Sequence, residues 1–187
     1  MNNQMSKKKE LNLYIEYIKK IKVLIIEELK KESKNLNRSE DLLFDRFSKR
    51  ELMIYKKIQI ASALHGKIWE LVFSNFQDFK KIAKLDVWSE KRKIYLELKN
   101  KSTTMNSDAR LSVFNKLHDF KEKYPDNEVI LGYVNDIISR DKLVLIKEKN
   151  IRILGGDSLF NYIFGDFSKR IRDDVVKIIN RFYSNIE

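Results

Sequence analysis

Two carboxylates and an ammonium group recur at a telling spacing near the middle of this chain. Asp86 lies in Leu85-Asp86-Val87-Trp88, and Glu97-Leu98-Lys99 follows one hairpin length later. Residues i and i+2 of an extended strand point to one face, so Glu97 and Lys99 stand side by side while Leu96 and Leu98 turn into apolar packing. If Leu85–Trp88 pairs with Ile94–Lys99 across the charged connection Ser89–Lys93, Asp86 joins them. Such a patch suits a divalent ion beside a phosphate. Magnesium takes oxygen ligands, and Asp86, Glu97 and the backbone carbonyl of Leu98 offer three. The matching chemistry is phosphodiester hydrolysis, in which the ion polarises the phosphate and lowers the pKa of a water. Lys99 then orients or deprotonates that water, or neutralises developing charge. Carboxylates beside it keep Lys99 charged, which favours positioning. The plainer alternative is an exposed Glu–Lys strand pair worth under about 1 kcal/mol. Glu28-Leu29-Lys30 and Glu32-Ser33-Lys34 repeat the spacing in a helical region. The central copy differs in its strand setting, in Asp86, and in the polar run Asn100, Lys101, Ser102, Thr103, Thr104 and Asn106 behind it.

Periodicity predicts the elements that must hold these groups. Apolar residues from Leu11 to Leu29, three and four apart, predict a helix over about Glu10–Lys31, preceded by a frayed polar start. Ser39-Glu40-Asp41 predicts the start of a short helix through Phe47. A longer helical stretch follows over about Glu51–Phe79, bent near Gly66. After the two strands, a helix is expected over Asp108–Lys123, closed by Tyr124-Pro125-Asp126-Asn127. Strands are expected at Glu128–Val134, Leu143–Ile146 and Ile151–Leu154. Gly155-Gly156-Asp157 reads as a turn and N-cap before a helix over Ser158–Phe164. Gly165-Asp166 repeats the device before a last helix, about Phe167–Tyr183. The fold class is therefore α/β or α+β, with a central mixed sheet flanked by helices. A length of 187 residues suits one domain. Within it we expect an N-terminal helical region at 1–50, a catalytic core at 51–165 and a C-terminal helix at 166–187.

Composition narrows the function classes. Cysteine is absent, which excludes disulfides, thiolate zinc sites and cysteine nucleophiles. Two histidines, His65 and His118, argue against a histidine-rich metal site. No apolar run reaches about 18 residues, and no signal-peptide core opens the chain, so a cytoplasmic protein without membrane contact is expected. The formal charge of +11 favours a polyanionic partner, nucleic acid first. A Lys-, Asn- and Ile-rich composition of the kind an AT-rich genome encodes is the other source of that charge. Trp69 and Trp88 read as core residues. His65 reads as structural or as a phosphate contact. Glu70, one helical turn after Gly66, is either a solvated helix-face carboxylate or one aimed at the strand patch.

Asp86 with Glu97-Leu98-Lys99 resembles the motif of the PD-(D/E)XK nuclease superfamily. Within it, Glu97-Leu98-Lys99-Asn100-Lys101-Ser102-Thr103-Thr104-Met105-Asn106-Ser107 is similar to the Glu-x-Lys-Asn-Lys-x-Asn-Thr-Met-Asn-Ser signature of a group of type II restriction endonucleases. Members of that group cut short palindromic sites of the GGNCC kind. The resemblance runs from about Gly66 to Gly165. Gly66-Lys67-Ile68-Trp69-Glu70 is similar to the superfamily's Gly-x-x-x-Glu helix, and Ile151 to Gly165 to the group's closing strand and helix. Leu85 stands where proline is common, Thr103 where the group has asparagine, and residues 1–50 match nothing. The resemblance implies a restriction-endonuclease-like fold, with Asp86, Glu97 and Lys99 as the catalytic set and Glu70 as an accessory carboxylate. It also implies Mg2+ as cofactor, with Mn2+ able to substitute, and a cognate DNA methyltransferase. The substrate is double-stranded DNA, and a homodimer presents one active site to each strand of a palindrome. Asn100, Lys101, Ser102, Thr103, Thr104, Asn106, Ser107 and Arg110 are the expected DNA-facing residues. Two other readings fit the same features: a structure-specific or repair DNA nuclease, and a non-catalytic basic DNA-binding protein.

Overall fold

Ile94-Tyr95-Leu96-Glu97-Leu98 is buried along its whole length, which requires cover on both faces of the sheet that contains it. The computed structural model of the chain describes residues 2–35, 64–82 and 85–184. A long helix α1 (Asn2–Asn35) opens it, and residues 64–74 form a second helix, α2. Then come strands β1 (Lys80–Ile82), β2 (Leu85–Ser89) and β3 (Ile94–Lys99), helix α3 (Ser107–Lys123), and strands β4 (Glu128–Tyr133), β5 (Arg140–Ile146) and β6 (Lys149–Gly155). Helices α4 (Asp157–Phe164) and α5 (Ser168–Ser184) close the chain, joined by a single 3-10 turn.

The strands described form one sheet in the order β1-β2-β3-β4-β6-β5. β1, β2 and β3 run antiparallel, β3, β4 and β6 parallel, and β5 returns antiparallel to β6. This is the mixed sheet that the patterning predicts. Alternation along each strand divides the core. Leu96, Leu98, Ile130 and Leu154 face one layer with residues of α1, α2, α4 and α5. Tyr95, Val129, Leu131 and Ile153 face the other, where Val113, Leu117 and Phe120 of α3 cover them. Helix α4 lies close on its face because Gly132 of β4 leaves room: a Cβ there would meet Leu96 at 2.9 Å and Leu159 at 3.0 Å.

Several boundaries differ from the sequence reading, each for a local reason. The first helix starts at Asn2, so the expected frayed start is helical, and it ends at Asn35. The predicted short helix through Phe47 and most of the Glu51–Phe79 stretch lie outside the described residues. The latter's described part stops at residue 74, and Gln77 takes φ 52° in a turn that carries the chain into β1. That three-residue strand is too short for alternation to reveal. Gly156, with φ 56°, is the N-cap of α4, and Asp157 falls in its first turn instead. Among the described residues, no helix is long and apolar enough to cross a membrane.

The topology gathers one edge of the sheet. The C-terminal ends of β3, β4 and β6 lie together at Lys99, Tyr133 and Gly155. Antiparallel pairing brings the start of β2 and the start of β5 to the same edge. The crevice beyond the carboxyl ends of parallel strands is where open α/β sheets bind their ligands.

Candidate active site

The hairpin forms as its alternation predicts. Ladder pairs run from Ser89↔Ile94 to Val87↔Leu96. At the next position a side chain takes over: Asp86 Oδ2 accepts the Leu98 backbone N–H at 2.8 Å. Asp86 is thereby fixed against the strand that carries Glu97 and Lys99.

Glu97 is 2 % exposed, a costly place for a charge unless it is paired. It is held from three sides. Lys99 Nζ donates to Oε1 at 2.7 Å, the Tyr95 hydroxyl donates to Oε2 at 3.0 Å, and Lys116 Nζ of α3 donates to Oε2 at 2.5 Å. Burial pushes its carboxyl up, but the hydrogen bonds from Lys116 and Lys99 outweigh it and hold Glu97 below the usual range. Asp86 behaves oppositely. Burial, then the neighbouring Glu97 charge, push it up to about 6, against the opposing pull of the Leu98 amide and Lys99. Burial acts to lower Lys99, yet its contact with Glu97 and the fields of Asp86 and Glu70 leave it raised and charged. Two carboxyls in one small site are therefore driven apart, one charged and one ready to take up a proton or a cation, which is a common property of functional sites.

Glu70 of α2 reaches this site electrostatically, since its charge acts on both Asp86 and Lys99. Its own carboxylate is held by Lys81 of β1 at 2.6 Å. The strand that the sequence conceals thus supplies the partner of Glu70. Leu98 directs its side chain into the opposite layer and offers only backbone here.

The polar segment after Lys99 splits into two groups. Ser102 is buried, and its N–H and hydroxyl both donate to Asp136 Oδ1, at 2.9 and 3.1 Å. Asn100 accepts from Asn135 Nδ2 at 2.6 Å. Asn106 caps α3, its side-chain oxygen accepting the Ala109 N–H at 2.8 Å. Lys101, Thr103, Asn106, Ser107 and Arg110 are exposed at the sheet's edge. Thr104 ends the 3-10 turn Ser102–Thr104. Trp69 is buried against Phe160 as a core tryptophan, and the half-buried Trp88 packs on Phe120 and Tyr124. His65 is half-buried, its imidazole pushed down by burial.

The sequence reading missed Lys116, although a signal was present. Val113, Leu117 and Phe120 are the buried stripe of α3, and Lys116 falls three residues after Val113 and four before Phe120, on that same stripe. A lysine there must point at the sheet. Elsewhere, His118, Asp119 and Glu122 bring potential ligand atoms within 4.8 Å of one another on the surface of α3. A groove of about 730 Å³ runs between α1 and α5, lined by no residue of the β2–β3 patch.

A family model described as Eco47II restriction endonuclease matches residues 59–159, more than half of the chain. The chain belongs to the Eco47II restriction endonuclease family. No curated protein and no solved structure matches it. As a member of that family it is a type II restriction endonuclease, a site-specific deoxyribonuclease. The matched interval contains Glu70, Asp86, Glu97, Lys99 and Lys116, and the whole loop from Asn100 to Asn106. Helices α1 and α5 lie outside it, so the match covers α2, the sheet, α3 and the start of α4. The charge of +11 accords with a DNA substrate.

Proposed function

We propose that this restriction endonuclease cuts double-stranded DNA at a short palindromic site of the GGNCC kind, as a Mg2+-dependent homodimer with Asp86, Glu97 and Lys99 as its cutting centre. One observation carries the reading: Asp86 and the Glu97–Lys99 pair share a face at the C-terminal end of β3, with the Asp86 carboxyl pushed up and the Glu97 carboxyl held down. That donor set fits a hard divalent ion. Asp86 and Glu97 supply carboxylate oxygen. The Leu98 amide points at Asp86, and in an extended chain its carbonyl faces the same strand edge. Mg2+ prefers such oxygen donors and keeps several waters; Mn2+ substitutes. A bound ion supplies Lewis acidity to the phosphate and to the attacking water.

The chain's own groups do the rest. Lys99, kept charged by its neighbours, positions the water and offsets charge developing on the phosphate. Glu70 contributes as an accessory carboxylate held by Lys81. Lys101, Thr103, Asn106, Ser107 and Arg110 face the duplex, while Asn100 and Ser102 hold the loop that presents them. We read residues 1–187 as one nuclease domain acting in the cytoplasm beside a methyltransferase that protects host sites. Tyr14, Ile21, Ile25 and Leu29 of α1 share the core cluster of β3 and α4, which supports a single domain.

The test is incubation of purified protein with phage DNA of known sequence and Mg2+. Discrete fragments whose ends map to one palindrome support the reading; intact DNA across metals and salt concentrations refutes it. Lys99→Ala should abolish cutting and leave binding to DNA measurable in Ca2+. A smear, or cleavage of branched substrates alone, would instead indicate a repair-type nuclease.

A further inference from the structure

Ile137 and Ile138 are 96 % and 70 % exposed. They occupy the loop between β4 and β5, at the edge of the sheet where Lys99 ends. Single isoleucines on a surface are ordinary. This pair differs because both sides of the dipeptide are anchored. The Asn135 N–H donates to the Asn100 carbonyl at 2.8 Å, and Asn135 Nδ2 to Asn100 Oδ1 at 2.6 Å. Asp136, 7 % exposed, accepts two hydrogen bonds from Ser102 and pairs with Arg140 at 3.2 Å. Its carbonyl lies so close to Gly156 that a Cβ there would come within 2.8 Å. Two β-branched side chains, stiff at χ1, are therefore held at a defined place beside the polar loop. Folding gains nothing from their exposure.

Their setting points to DNA. The residues that anchor the loop belong to the segment assigned to the duplex, and Arg140 and Lys142 follow at once as a basic flank for phosphates. We propose that Ile137 and Ile138 make apolar contacts with base edges in a DNA groove and form part of the specificity-determining surface. Apolar side chains serve in this way against thymine methyl groups or as wedges between base steps. The proposal rests on the nuclease reading above.

The experiment uses the full chain with both isoleucines changed, Ile137→Ser and Ile138→Ser, and Ile137→Ser alone should the double variant fail to fold. Wild-type cutting of phage DNA is the first arm, and its failure would remove the nuclease reading itself. The second arm measures affinity in Ca2+ for a duplex carrying the mapped site and for an unrelated duplex of equal length. The expected result is a specific affinity roughly 10- to 100-fold weaker. Non-specific affinity and the slope of log K against log salt should not change, because no phosphate contact is lost. Specific affinity within twofold of wild type would overturn the proposal. So would sedimentation of the variant as a smaller species than wild type, which would assign the pair to a subunit contact.

Discussion

Replacing Asp86 by Asn should make the protein more stable at neutral pH while ending its ability to cut DNA. Burial and the charge on Glu97 raise the Asp86 carboxyl from 3.8 to about 6. An acid raised on folding binds its proton more tightly in the folded state. Between pH 3.8 and about 6 the unfolded chain has lost that proton and the folded chain has kept it. Stability therefore falls as pH rises through this window, and the whole penalty is present above it. At about 1.4 kcal/mol per pH unit the penalty reaches roughly 3 kcal/mol at pH 7. Asparagine keeps nearly the same shape and an oxygen for the Leu98 N–H now held at 2.8 Å, so the charge goes without leaving a cavity. That net penalty already contains the pull of Lys99 and the Leu98 amide; the asparagine amide must itself be desolvated, which trims the expected gain to roughly 1–2 kcal/mol. For a chain of this size that is a rise in Tm of about 2–8 °C. The assay is thermal unfolding of both proteins in EDTA at pH 4, 5.5 and 7.5. The gain should be largest at pH 7.5 and nearly gone at pH 4. Added Mg2+ should raise the Tm of wild type and leave Asp86→Asn unmoved. A variant less stable than wild type at pH 7.5, or a gain undiminished at pH 4, would refute the reasoning.

Lys116→Met keeps the apolar stem but removes an ammonium from Glu97, leaving Lys99 and Tyr95 to hold it. We expect a loss of roughly 1–2 kcal/mol at pH 7, reduced because the lysine is a third exposed. Glu97 is held below its usual range, so its contribution is present above the ordinary glutamate pKa and is lost as pH falls. Weakening that hold should move the acid limb of the cutting profile to higher pH, and Lys116→Arg should restore it. Gly156→Ala forces a side chain onto φ 56° and against the Asp136 carbonyl, and should cost about 1–3 kcal/mol in denaturant unfolding. Ser102→Ala removes one of the two bonds that Asp136 Oδ1 accepts. It should lower the denaturant midpoint by an amount equivalent to about 1 kcal/mol, with the m-value unchanged.

The legible part of this protein was local. Alternation over six residues fixes which face Glu97 and Lys99 share, and a hairpin-length connection is enough to return Asp86 to them. Helix α3 and strands β4 and β6 also follow from period and punctuation, within a few residues of their observed ends. β1 escaped because three residues cannot display an alternation, and with it went Lys81, the partner of Glu70.

What only the tertiary structure decides are relations between residues that no local period connects. The core-facing stripe of α3 shows that Lys116 points inward, but that it ends on Glu97 depends on the crossover that lays α3 over β3. Ser102 looks like its polar neighbours in the sequence. It is buried because parallel pairing of β3 with β4 brings Asp136 beneath it. The same pairing turns Ile137 and Ile138 from an unremarkable apolar dipeptide into an anchored, exposed pair beside the polar loop. Side-chain direction within one element follows from backbone geometry and can be read from the sequence. The meeting of two elements depends on how they share a core, and that is set by the packing of the whole chain.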